Sequence, residues 1–74
     1  MPQLPRISGS EAVRIFEKLG FHKARQKGSH IVMRRENRGC VLPLHKELAI
    51  GTLRSALRQA GISAEEFVSA YRSK

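Results

Sequence analysis

From Lys23 to His45 apolar and cationic side chains alternate with a period of two, the pattern of strands that bury one face only. Turns at Lys27-Gly28 and Asn37-Arg38 divide this stretch into three strands, over 21–27, 29–35 and the segment Cys40-Val41-Leu42-Pro43-Leu44. Such turns place Gln26 opposite Ser29, Arg25 opposite His30, Glu36 opposite Gly39 and His30 opposite His45. One face then collects Ala24, Ile31, Met33, Cys40, Leu42 and Leu44. The other collects Lys23, Arg25, His30, Val32, Arg34, Val41, Pro43 and His45. A slip of one residue would mix the two sets, so the pattern itself favours this arrangement. His22 falls on the apolar side, opposite Met33. Pro43 cannot donate to a ladder, which assigns the third strand to an edge and leaves His30 in the central one.

An apolar sheet face needs a cover, and the flanking segments supply it. Ser8 followed by Glu11 is a capping box opening a helix with Ala12, Val13, Phe16 and Leu19 at helical spacing. Gly20 ends that helix with a left-handed cap, and Phe21 folds back on Phe16. After a connection over 46–50, the segment from Gly51 to Gly61 is a second helix with Leu53, Ala56, Leu57 and Ala60 on one face. Gly61 closes it, and Ile62 packs back on Leu57. Ser63 with Glu66 repeats the capping box and starts a short third helix bearing Phe67, Val68 and Tyr71, which completes the core through Phe67 and Tyr71 or serves as a contact for a partner protein. The fold class is α+β, in the order α-β-β-β-α-α, with helices on one face of a three-stranded antiparallel sheet. Residues 1–74 form a single domain, with 1–6 as an extended arm carrying two prolines.

A domain of this length has a small core and little net stability. Cys40 is the only cysteine, so no internal disulfide supports it, and a reducing, cytoplasmic setting is expected. The apolar runs are only a few residues long, which excludes membrane insertion. The three histidines lack metal-ligand spacing, and no metal or other cofactor is expected.

Charge narrows the partners. Fourteen Lys/Arg against six Asp/Glu give +8, which favours an anionic partner such as nucleic acid or an acidic protein. The segment Lys18 to Arg35 holds six basic residues and no acidic one. His30 lies within it. Histidine changes charge near neutrality, and a neutral imidazole can take a proton. The ribose 2′-hydroxyl of RNA offers one. Its removal drives attack on the adjacent phosphate without metal or cofactor, with Arg25 or Arg34 stabilising the phosphoryl oxygens. His45 is the candidate acid for the leaving oxygen. DNA has no 2′-hydroxyl, so this chemistry selects RNA. The plainer alternative is that His30 only contacts phosphate or base. Ser29 has no acidic orienter and reads as a turn residue or phosphate contact. Arg54 and Arg58 lie one turn apart on the exposed side of the second helix, extending the RNA surface or simply solvated.

Three stretches, Lys27-Gly-Ser-His-Ile-Val-Met-Arg-Arg35, Val41-Leu-Pro-Leu-His-Lys-Glu-Leu48 and Gly51 to Phe67, together resemble the HicA toxins of HicA/HicB toxin–antitoxin systems. The resemblance runs from the first helix to Phe67. It rests on Gly28-Ser29-His30 combined with Pro43-x-His45 and Gly51-Thr52-Leu53. It implies a fold like a double-stranded-RNA-binding domain. It also implies a type II toxin that cleaves mRNA as a ribosome-independent, metal-independent endoribonuclease. The family's functional histidine matches His30, whereas the catalytic role of His45 rests on geometry alone. The implied partner is a HicB-type antitoxin covering the active surface. The expected RNA contacts are Lys23, Arg25, Lys27, Ser29 and Arg34. Two other readings stand beside this one: a noncatalytic RNA-binding module on the same fold, and a basic interaction protein for an acidic partner.

Overall fold

The computed structural model describes residues 3–73. Helix α1 spans Gly9–Lys18, strands β1, β2 and β3 span His22–Lys27, His30–Arg35 and Arg38–Pro43, and helices α2 and α3 span Ile50–Ala60 and Ala64–Arg72. This is the order read from the sequence. Of the expected arm, Met1 and Pro2 lie outside the described residues, and Leu4 packs half-buried against the core.

The helix ends form as their residues dictate. The Ser8 hydroxyl accepts from the Glu11 N–H at 3.1 Å, and the Glu11 carboxylate accepts from the Ser8 N–H at 3.1 Å. Ser63 and Glu66 repeat the exchange at the start of α3. Each N-cap contributes about 1 kcal/mol. Gly20 and Gly61 adopt φ of +93° and +73°, where a side chain would be strained. The turn at Gly20 lets the Phe21 N–H donate to the Phe16 carbonyl at 3.0 Å and sets the two rings 5.2 Å apart. At Gly61 the Ile62 N–H donates to the Leu57 carbonyl in the same way.

The sheet order is β1-β2-β3, so β2 is central and Pro43 lies on an edge strand, as expected. The register differs from the sequence reading at both turns. The first turn is Gly28-Ser29, which pairs Lys27 with His30 and Arg25 with Val32. The second is Glu36-Asn37, which pairs Arg35 with Arg38 and His30 with Pro43. Arg25 therefore does not face His30, and neither does His45. The reason lies in turn chemistry. A two-residue hairpin turn led by a positive φ favours glycine first, and Gly28 supplies φ +59°. Glu36 occupies the equivalent position in the second turn at φ +56° with no such advantage.

Each correction moves the pairing by two residues, an even number, so most side chains keep their face. The exception is β1. A bulge between Lys23 and Arg25 inserts Ala24 as an extra residue. Before the bulge the faces exchange. Lys23 pairs with Met33 on the helix side, and His22 pairs with Arg34 on the open side. Ala24 is exposed rather than buried.

Ile31, Met33, Cys40 and Leu42 meet the helices in the core together with Phe16, Leu48, Leu53, Leu57 and Phe67. Phe67 of α3 is fully buried, with its ring 5.8 Å from Phe16 and edge-on to it. The third helix thus completes the core through Phe67 and Val68. Tyr71 does not join them and stays 42% exposed.

Two core positions have measurable consequences. A Cβ on Gly9 would lie 2.1 Å from the Pro43 carbonyl oxygen, and the Gly9 N–H donates to the His45 carbonyl at 2.9 Å. The backbones of α1 and the end of β3 can approach this closely only without a side chain. Gly9→Ala is expected to lower unfolding free energy by about 1–3 kcal/mol, read from urea denaturation. Burial pushes the Cys40 thiol from 9.0 up to about 12. The unfolded chain releases this proton above the lower value and the folded chain only above the higher one. The stabilising effect of the neutral buried thiol is therefore intact below the lower value and is lost as pH rises between the two. The loss should reach about 1.4 kcal/mol per pH unit. Denaturation of wild type and Cys40→Ala across this alkaline range should show a steeper decline in wild type.

Candidate nucleic-acid interface

Alternation along β2 buries Ile31 and Met33 and turns His30, Val32 and Arg34 away from the helices. Cross-strand pairing then assembles the open face in three rows. Lys27, His30 and Pro43 form the first, Arg25, Val32 and Val41 the second, and His22, Arg34 and Gly39 the third. Pro43, expected on the open face, is buried where the end of β3 closes against Gly9 of α1. Directly paired Cβ atoms lie about 4.5–5.5 Å apart. A phosphate above the first row can meet Lys27 and His30 together, with Arg25 one row away.

The sequence-derived contacts divide accordingly. Arg25, Lys27, His30 and Arg34 share the open face. Lys23 lies on the other side of the β1 edge, where with Gln26 it lines a groove against Ser10, Val13, Arg14 and Glu17 of α1. Ser29 sits in the turn before His30, and its carbonyl accepts from the Leu44 N–H at 2.7 Å. His45 is exposed and lies two residues beyond the His30 partner, where the chain bends towards α1. His22, expected on the apolar side, is turned to the open face by the same bulge that moves Lys23 off it. It stands opposite Arg34, four residues from His30 along β2, about 13 Å away. That is too far for both imidazoles to serve one phosphate.

Not every cation in the basic segment is free to bind. Arg35 points to the helix side, donates to the Leu19 carbonyl at 2.7 Å and lies 4.8 Å from the centroid of Phe21. Lys18 donates to the Ser73 carbonyl at 2.7 Å and closes the end of α3. These two hold helix ends. By contrast, no ion pair among the described residues involves Arg25, Lys27 or Arg34; the pair formed there, Arg6 with Glu47 at 3.3 Å, lies outside the three rows. Three unneutralised cations beside an exposed imidazole make a surface for anions. No helix among the described residues is long and apolar enough to cross a membrane.

Fold and face together define a small α+β domain with a cationic, histidine-bearing sheet surface backed by helices. Residues 9–62 match the family model described as the HicA toxin of bacterial toxin–antitoxin systems, and the chain belongs to that family. It is thus a toxin of a toxin–antitoxin system, with an antitoxin as its partner. Comparison with curated proteins returns no match. The family match ends at Ile62, before α3 begins.

Proposed function

We propose that this toxin is a metal-independent, ribosome-independent endoribonuclease that cleaves mRNA, with His30 as general base. The observation that carries the reading is the isolation of His30 at the head of the central strand. It is exposed, directly beside Lys27, and set among cations that no carboxylate among the described residues neutralises. The His30 imidazole takes the proton of a ribose 2′-hydroxyl. The 2′-oxygen bonds to the adjacent phosphorus, and the bond from phosphorus to the 5′-oxygen breaks. That oxygen receives a proton, leaving a 2′,3′-cyclic phosphate and a 5′-hydroxyl. Lys27 and Arg25 balance charge gathering on the phosphoryl oxygens, and Arg34 extends the RNA track. The leaving oxygen takes its proton from Lys27, the cation paired with His30, or from His45. A HicB-type antitoxin is the partner that silences this face.

Purified protein incubated with a long single-stranded RNA in EDTA tests the reading. Fragments ending in 2′,3′-cyclic phosphate are expected. RNA that is bound but intact would sink the catalytic reading and favour a noncatalytic RNA-binding module. No binding at physiological salt would favour a surface made only for an acidic protein.

A further inference from the structure

The open face is not uniformly cationic. Its middle row pairs Val32 with Val41, while Pro43, two residues later, is buried and adds nothing to the exposed surface. Val41 is 44% exposed, a large apolar side chain left in solvent, while Val32 is half-buried beside it. No aromatic ring stands on this face, so it offers RNA bases no stacking platform, and phosphates gain nothing from valine. A single exposed apolar residue is ordinary on a protein surface. A cross-strand apolar pair bordered on its β1 and β2 side by Arg25, Lys27, His30 and Arg34 has the anatomy of an interface patch, apolar with a charged flank.

We infer that Val41, supported by Val32, is the anchor point for an acidic protein partner. The partner seats an apolar side chain on the valine pair while its carboxylates meet Arg25 and Arg34. Charge complementarity selects this occupant. Two copies of this +8 chain would bring the same cations face to face, which opposes self-pairing. The inference rests on the proposed function in one respect, that the same face receives RNA. It adds a division of labour within that face. Cations serve both ligands, and the valine pair serves only the protein. The antitoxin thereby gains affinity that a competing polyanion cannot match.

Val41→Lys separates the two, because it removes the apolar anchor and adds a positive charge. The antitoxin encoded with this toxin is the protein probe, titrated by calorimetry against wild type and variant. A single-stranded RNA is the second probe, followed by filter binding and by cleavage. If the valine pair anchors the antitoxin, Val41→Lys weakens its binding at least tenfold, while RNA binding is retained or strengthened. If charge alone holds the antitoxin, the added lysine leaves its affinity unchanged or raises it, and the inference is overturned. A fall in both ligands by a folded variant overturns the division of labour. Val41→Thr, which adds no charge, answers the same question should the lysine variant fail to fold. If the wild type binds RNA without cutting it, the catalytic reading fails while the antitoxin titration still decides this one.

Discussion

His30→Ala is expected to lose RNA cleavage by about 10²- to 10⁴-fold while keeping its fold and most of its RNA affinity. The fold survives because His30 is exposed, packs into no core and sits on a strand whose buried positions are Ile31 and Met33. Affinity is expected to survive because the proposed phosphate contacts are spread over Arg25, Lys27 and Arg34, and losing one hydrogen-bonding group costs only about 0.5–1.5 kcal/mol. The rate falls because water is the base that remains. The measurement is the first-order cleavage rate of a labelled RNA in EDTA, with circular dichroism confirming the fold. A variant that cuts at a rate near wild type would remove His30 from the chemistry. Running His45→Ala and Lys27→Ala alongside identifies the acid. The register favours Lys27, which is paired with His30, over His45, which is not.

Phe16→Ala should unfold the chain or nearly so. Phe16 is fully buried, and its ring is the meeting point of Phe21 at 5.2 Å and Phe67 at 5.8 Å. It therefore joins the turn after α1 to the third helix. Truncating a buried phenylalanine typically costs about 3–5 kcal/mol. A chain of 74 residues has a total stability of roughly 4–11 kcal/mol, so the loss is comparable with the whole. A flat thermal melt, or a urea midpoint near zero, is the expected result. A cooperative transition within about 1 kcal/mol of wild type, well below that cost, would show that the core collapses around the cavity.

The same residues explain what could be read without coordinates. Both capping boxes and the glycine stops at Gly20 and Gly61 are local, needing only residues a few positions apart, and all appear as expected. The partition of β2 and β3 into a buried and an open face was legible from alternation alone. Pairing was less so. Each turn lies one residue from its expected place, and this moves His45 out of line with His30 and brings Lys27 in. The turn at Gly28-Ser29 followed glycine chemistry that the sequence displays. The turn at Glu36-Asn37 places a glutamate at positive φ, and no local rule selects that. The bulge at Ala24 was hidden as well, because Lys23, Ala24 and Arg25 are all compatible with an exposed edge. Its effect on the site is the exchange of Lys23 for His22. Tyr71 was misread because spacing marks a helix face but not how far that face is covered.

The bulge has another consequence, and it concerns crowding. Among the described residues the outer edge of β1 carries no partner strand, and every residue of β1 is exposed. A straight apolar edge of that kind would recruit strands from neighbouring molecules and seed aggregates. Here β1 carries a bulge at Ala24, which bends a strand, together with Lys23, Arg25 and Lys27, so an approaching copy meets an irregular edge and like charge. Strand-to-strand recruitment along this edge is thereby disfavoured, which lowers one route by which a toxin set free from its antitoxin would be lost to precipitation.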